Sequence, residues 1–144
     1  YYKNHYFRSI LELSYLKYLL DNNIQFESCE NKKYRIEYQL DNRKQTYFPD
    51  FCLLDTEEII EIKPQNLLNN RINKIKFEAA KNKYGNKFKV LTENDFNKLE
   101  VQETYRLYIN KEIIFDKNYE QKFLEYYQRE SKRWMKIKKP NIVL

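Results

Sequence analysis

The sequence predicts an α/β fold in which two helices flank a mixed central sheet of about four to five strands. Three observations predict this class. Apolar residues recur every three or four positions over residues 6–21, as they do on the buried side of a helix. Residues 34–40 alternate between apolar and polar side chains, as a half-buried strand does. The helical pattern returns over residues 71–84 and stops at Gly85, the only glycine in the chain, which favours a helix end there.

Strand and turn signals extend this prediction along the chain. Asp41 and Asn42 form a turn pair between two apolar runs. Pro64 favours an extended conformation at Lys63 and ends a strand there. The predicted elements are a helix over residues 6–21, strands over 24–30, 34–40, 44–54 and 57–63, a helix over 71–84, a strand over 87–91 and a short helix over 92–99.

The C-terminal part is predicted to form a hairpin and a basic helix. Residues 105–109 and 113–115 alternate around a turn at Asn110 and Lys111, and residues 119–133 have a helical pattern. We therefore expect a core over residues 1–100, with residues 101–144 as a hairpin plus basic helix packed on it.

Composition restricts the location and the partners. The formal net charge of +6 favours an anionic partner. There is no run of about 18 apolar residues, so we expect no contact with a membrane. No secretory signal is visible, and Cys29 and Cys52 show neither metal-ligand spacing nor a disulfide framework. We expect two free thiols and a cytoplasmic protein.

The main chemical signal is a set of charged residues on two neighbouring predicted strands. Asp50 follows a proline in the first strand, whereas Glu61 and Lys63 share one face of the second. A charge at the centre of an apolar strand costs several kcal/mol unless it is paired. Two carboxylates on adjacent strands also repel each other, and a divalent cation between them relieves both costs. The pattern predicts a nuclease metal site in which Lys63 meets the attacking water or the phosphate.

Two other charged residues have two interpretations each. Glu12 lies at the edge of the apolar stripe of the first helix, so it is either solvated or paired with Arg8, or it belongs to the site. Lys76 lies in the inner sector of the helix over residues 71–84. It either extends its ammonium group to solvent or reaches a phosphate at the metal site.

The basic C-terminal segment also has two interpretations. It is either a solvated helix end or a surface that contacts the DNA backbone, with the tryptophan stacking on a base or sealing a partner's groove. The residues concerned are Arg129, Lys132, Arg133, Trp134, Lys136 and Lys138.

The order of these elements resembles that of the PD-(D/E)xK nucleases, which have the restriction-endonuclease-like fold. The segment Arg8-Ser9-Ile-Leu-Glu12 resembles the R-S-x-x-E opening of a subgroup that includes the TnsA transposase endonuclease and is similar to the phage Holliday-junction resolvase endonuclease I. The segments 61–64, 76–80 and 88–93 resemble phage-encoded TnsA-type nucleases, among which are the head-completion nucleases of tailed phages. The resemblance covers about residues 6–100.

The resemblance implies a role for each matching residue. Asp50 and Glu61 would hold Mg²⁺, for which Mn²⁺ would substitute, with the backbone carbonyl of Ile62 beside them and Glu12 nearby. Lys63 would be the catalytic lysine. The catalytic set is therefore Glu12, Asp50, Glu61 and Lys63, and the DNA contacts outside the C-terminal segment are Arg8, Ser9 and Lys76.

The function predicted from these residues is Mg²⁺-dependent hydrolysis of DNA phosphodiester bonds by an endonuclease encoded by a phage or a mobile element. Two alternatives stay open: a resolvase specific for four-way junctions, and a non-catalytic module that binds DNA ends or a portal. The expected partners are DNA and either a second copy of the chain or a phage or transposition protein. The expected location is the host cytoplasm or the virion.

Overall fold

The computed structural model describes the backbone of residues 1–138 and the side chains of residues 1–133. The chain divides into two compact units. One contains residues 11–98, and the other contains residues 1–10 together with the described residues from 99 onward. The predicted packing of residues 101–144 on a core of residues 1–100 remains a prediction.

The unit of residues 11–98 contains a mixed four-stranded sheet and a separate hairpin. The strands are β1 (Phe26–Ser28), β2 (Ile36–Leu40), β3 (Arg43–Tyr47), β4 (Phe51–Leu53), β5 (Ile59–Ile62) and β6 (Phe88–Leu91). The order of strands in the sheet is β1-β4-β5-β6, and only the β5–β6 pair is parallel. The hairpin consists of β2 and β3, which pair only with each other.

One strand predicted over residues 44–54 is in fact two strands, β3 and β4, in different sheets. The break falls at Pro49 and Asp50, because a proline lacks the amide that a ladder requires. The β2–β3 turn is the predicted pair, and Asp41 and Asn42 both have positive φ values, 49° and 64°. Asparagine and aspartate tolerate this conformation better than other non-glycine residues, which is why they suit a two-residue hairpin loop.

Helix α1 (Ile10–Asp21) starts four residues later than predicted and packs against one face of the sheet. Leu13, Leu16 and Leu19 of this helix are fully buried. The ring of Tyr15 lies 5.6 Å from that of Phe51, which pairs with Ile60 on β5. Because side chains alternate along a strand, Phe51 and Ile60 define the sheet face that α1 covers.

Helix α2 (Arg71–Tyr84) lies on the opposite face, together with the hairpin. The side chain of Asn70 caps its first turn, and Gly85 ends it with a φ of 59°, as predicted. Although it is apolar, Ile72 is 41% exposed, whereas Phe77 and Ala80 are buried. The core on this face contains Cys29, Tyr34, Ile36, Cys52, Ile59, Phe77, Ala80 and Phe88.

The C-terminal hairpin predicted over residues 105–115 is wrong. Residues 101–109 form helix α3 (Val101–Ile109), in which Thr104 and Leu107 are buried at a helical spacing of three. The Thr104 hydroxyl donates to the Glu100 carbonyl one turn earlier, at 2.9 Å. Two-residue alternation over so short a segment therefore does not distinguish a strand from a helix.

Two other predicted helices have opposite outcomes. The predicted basic helix is present as α4 (Lys117–Lys138). The short helix predicted over residues 92–99 is absent. The Thr92 amide donates to the Asp95 carboxylate and the Asp95 amide donates to the Thr92 carbonyl, so these residues form a turn. In the same unit as α4, the N-terminal segment forms a bridge between Tyr2 and Ile113.

No helix among the described residues has the length and apolar character needed to cross a membrane.

Replacing Leu16 with alanine should lower the free energy of unfolding by about 2–5 kcal/mol, because the residue is fully buried and its removal leaves a cavity. Urea denaturation followed by circular dichroism measures the change. Leu67→Ala is the matched control, since that side chain is 40% exposed and its loss should cost far less. Equal losses in the two variants would contradict the packing described for α1.

Candidate active site

Asp50 lies at the break between β3 and β4 and is tied to β5 through both its backbone and its side chain. Its amide donates to the Ile60 carbonyl at 3.0 Å, and its Oδ2 accepts from the Ile62 amide at 2.7 Å. The side chain thus takes the place of a backbone carbonyl where β4 has not yet begun. This contact fixes the carboxyl group beside the end of β5.

Glu61 is a buried carboxylate in the middle of the sheet. It belongs to β5, all four residues of which are buried, and only 7% of its surface is exposed. Its Oε1 lies 3.6 Å from the Lys63 ammonium. Its Oε2 is buried and has no hydrogen-bond partner in the described protein, an arrangement that is costly unless another group binds that oxygen.

Glu12 completes a group of three neighbouring acids. It lies on the first turn of α1 and is 9% exposed, so the interpretation that it is a solvated side chain is wrong. Its carboxyl group interacts with that of Asp50 and helps to raise the pKa of Asp50.

Burial and mutual repulsion alter the acidity of these groups. Burial, the Glu61 carboxylate and the hydrogen bond with Glu12 raise the pKa of Asp50 well above its usual value. Burial raises the pKa of Glu61 to about 7, against the opposing effect of the Lys63 ammonium. The sheet therefore holds two acids that resist ionisation, as is common where titratable groups bind ligands or protons.

Lys63 extends from the end of β5 toward solvent. Its amide donates to the Leu91 carbonyl at 3.0 Å, so the pairing with β6 continues one residue past the strand. Its side chain is 25% exposed. As predicted, Glu61 and Lys63 share one face, and the ammonium group contacts both the buried carboxylate and solvent.

Lys76 approaches the same acids from α2. It lies close enough to Glu61 to lower the pKa of that carboxyl group. Its ammonium group also lies over two tyrosine rings of the hairpin, with distances to the ring centres of 5.8 Å for Tyr38 and 5.5 Å for Tyr47. Its side chain is therefore directed toward the site, although a contact with phosphate remains a prediction.

The other predicted contacts belong to several parts of the chain. Arg8 and Ser9 belong to the unit of residues 1–10 and 99 onward, and the Arg8 guanidinium lies 5.8 Å from the centre of the Tyr6 ring. Ile62 ends β5, and a role for its carbonyl remains a prediction. On α4, Arg129, Lys132 and Arg133 are exposed, whereas the side chains of Trp134, Lys136 and Lys138 lie outside the described residues.

Three residues that the sequence did not predict as part of the site lie near it: Tyr38, Tyr47 and Cys29. Burial raises the pKa of the Tyr47 phenol well above its ordinary value, and the neighbouring Glu61 and Asp50 carboxyl groups raise it further. In the sequence, Tyr38 is only one apolar member of an alternating strand. The buried thiol of Cys29 is near both acids, and burial followed by the neighbouring Cys52 raises its pKa. Only the pairing of elements distant in sequence brings these residues together.

The arrangement offers carboxylate oxygens beside two ammonium groups. Among the described residues, no three side chains of His, Cys, Asp or Glu stand together at the spacing of a preformed metal site. Both cysteines are free, as predicted. Chemically, the acids can accept protons or bind a hard cation, and the lysines can bind an anion or a water molecule.

Comparisons with models of protein families, with curated proteins and with solved structures found no match to this chain. The fold is mixed α/β, with a mixed four-stranded sheet flanked by helices.

Without divalent metal, the free energy of unfolding should fall as the pH rises from about 4.5 to 7. In this window the unfolded chain has lost the Glu61 proton that the folded protein retains, since burial raises the pKa of Glu61 to about 7. Glu61→Gln should remove up to about 3 kcal/mol of this fall and be more stable than the wild type at pH 8.

Urea denaturation in EDTA at a series of pH values measures this effect. Asp50 also resists ionisation, so some pH dependence should persist in Glu61→Gln. Glu78→Gln on the exposed side of α2 is the matched control. If both glutamine variants show the wild-type pH dependence, Glu61 is not the buried acid that the structure describes.

Proposed function

We propose that the protein is a Mg²⁺-dependent DNA endonuclease of the PD-(D/E)xK class. The observation that supports this most directly is the adjacency of Glu12, Asp50 and Glu61, with Lys63 beside them and open to solvent. Glu12 comes from α1, Asp50 from the junction before β4 and Glu61 from β5, and burial opposes the ionisation of the last two. A cation-binding role accounts for a cluster that would otherwise only reduce stability.

The donor set suits a hard divalent cation. Mg²⁺ prefers oxygen ligands and is usually held by one or two carboxylates. Asp50 and Glu61 would provide those carboxylates, with the Ile62 carbonyl and Glu12 next to them. The buried Oε2 of Glu61, which has no hydrogen-bond partner in the described protein, is an acceptor that such an ion would satisfy. Mn²⁺ has similar ligand preferences and should substitute.

When bound, the ion would lower the pKa of a coordinated water and neutralise charge that develops on the phosphate. The chain's own residues have separate tasks. Lys63 can orient a water molecule or bind a phosphate oxygen, because its ammonium is held 3.6 Å from Glu61 and still reaches solvent. Asp50 is fixed by the Ile62 amide, so its carboxyl group keeps its orientation as the charge in the site changes.

Positive charge outside the site supports DNA as the substrate. The net charge of the chain is +6. Arg129, Lys132 and Arg133 are exposed within two turns of α4, and such groups bind DNA phosphates without regard to sequence. The proposed role of α4 is therefore to hold the duplex by its backbone.

Replacing Asp50 or Lys63 with alanine should reduce Mg²⁺-dependent nicking of plasmid DNA by at least about 100-fold, because each variant removes a group that contacts the ion, the water or the phosphate. EDTA should abolish the wild-type activity. Gel assays of supercoiled plasmid, with circular dichroism to verify folding, measure both effects.

Glu78→Ala is the matched control for the loss of a charged residue, since it is exposed on α2. It should cleave at the wild-type rate. An Asp50→Ala protein that is folded and equally active would end the proposal. Comparing a four-way junction with a linear duplex in the same assay tests the resolvase alternative. Binding without cleavage by the wild type would instead favour the non-catalytic module.

Replacing Arg129, Lys132 and Arg133 together with alanine should weaken DNA binding and flatten its dependence on salt. Removing one side chain that binds a phosphate should reduce the slope of log K against log salt by about 0.9, so the reduction should approach about 3 if all three residues bind phosphates. Fluorescence anisotropy at several salt concentrations measures the slope.

The control for this experiment replaces two exposed lysines of the other unit, Lys87 and Lys89, with alanine. These changes should leave the slope near the wild-type value. A wild-type slope in the α4 variant would remove that helix from the DNA interface.

A further inference from the structure

We propose that Tyr38 and Tyr47 are positioning residues that hold the Lys76 ammonium in place to bind a backbone phosphate next to the scissile one. This inference rests on the proposed function, because it assigns a substrate contact at the same site. It gives the β2–β3 hairpin a role in substrate binding. It also predicts the effects of replacing Tyr38 and Tyr47, which take no direct part in hydrolysis.

The hairpin holds Lys76 in two ways. The Tyr47 hydroxyl donates to the backbone carbonyl of Lys76 at 3.1 Å. The Lys76 ammonium then lies 5.5 Å and 5.8 Å from the centres of the Tyr47 and Tyr38 rings. Distances within about 6 Å are those at which an ammonium group is attracted to the face of an aromatic ring.

The two rings are themselves fixed relative to each other. Their centres are 6.0 Å apart, with an edge-to-face angle of 69°. Register places Tyr38 opposite Gln45 and Tyr47 opposite Ile36, so the tyrosines lie diagonally across the β2–β3 pair on one face. Ile36 on that face is fully buried beneath α2, which anchors the pair.

This arrangement limits the freedom of a side chain that is otherwise flexible. A lysine has many rotamers, and fixing it on binding reduces affinity. Two rings that already surround the ammonium group remove part of that loss before DNA arrives. Lys76, Tyr38 and Tyr47 are each partly exposed, so a phosphate can reach the ammonium group.

The position of Lys76 also separates its role from that of Lys63. Lys63 extends from β5 and contacts Glu61 directly, whereas Lys76 comes from α2 on the hairpin side. Two cations that approach the acids from different elements suit two successive phosphates of one strand. A contact with a phosphate that does not react is equally strong in the bound state and the transition state, so the loss of that contact should raise KM.

The test is a double-mutant cycle on cleavage of a short duplex in Mg²⁺. Lys76→Ala should raise KM about 10-fold, and Tyr38→Leu should raise it about threefold with kcat within twofold of the wild type. The double variant should resemble Lys76→Ala alone, since the ring acts only through the ammonium group. Tyr38→Phe keeps the ring and should restore the wild-type KM.

Two further variants protect the test against effects on folding. Lys74→Ala removes an exposed lysine two residues away on the same helix and should leave KM unchanged. Tyr47→Phe keeps the ring and loses the hydroxyl that donates to the Lys76 carbonyl, so its KM should rise by less than that of Tyr38→Leu. If Tyr38→Leu raises KM equally in the Lys76→Ala background, or if Lys76→Ala has no effect, the positioning role is wrong.

A parallel measurement separates this inference from the proposed function. Anisotropy in EDTA gives the Kd for the same duplex without cleavage. The Kd values should show the same non-additivity, with the double variant resembling Lys76→Ala alone. A wild type that binds and shows the cycle but never cleaves would contradict the nuclease and support the phosphate contact. A wild type that cleaves without the cycle would support the nuclease alone, and one that neither binds nor cleaves would overturn both.

Discussion

The hydrogen bond from the Ile62 amide to Oδ2 of Asp50 fixes the geometry of the site. Pro49 cannot extend the ladder, so the chain leaves the hairpin and enters the sheet at a bend. The Asp50 side chain continues the pairing with β5 that the backbone interrupts. The same contact that joins hairpin to sheet thereby places a carboxyl group beside Glu61.

The balance of charge around Glu61 shows why the site is costly and still folds. Burial opposes its ionisation, while the Lys63 and Lys76 ammonium groups favour it. The three groups come from a buried strand, its exposed extension and a helix on one face of the sheet. A hydrophobic residue at position 61 would complete the apolar strand at less cost. We propose that the acid at position 61 binds a ligand, with a cation and DNA as the proposed ligands.

Local patterns predict some elements well and fail at others for identifiable reasons. Helix α2 and its end at Gly85 are predictable, because a glycine at positive φ marks a helix end. Helix α3 has the pattern of a strand, since Tyr105, Leu107 and Ile109 alternate over a segment too short to fix a period. Pro49 predicts an edge or a break within residues 44–54, because it lacks an amide, but the choice between the two depends on which neighbour the chain meets.

The sequence by itself determined the chemistry of the candidate site: an acid after a proline, and an acid and a lysine two apart on an apolar strand. Side-chain alternation is a property of the chain, so Glu61 and Lys63 had to share a face. Only the tertiary structure decided that Glu12 is buried against Asp50 and that Tyr38 and Tyr47 surround Lys76. Those contacts join elements far apart in sequence, and their formation depends on how helix, hairpin and sheet pack, which no local pattern encodes.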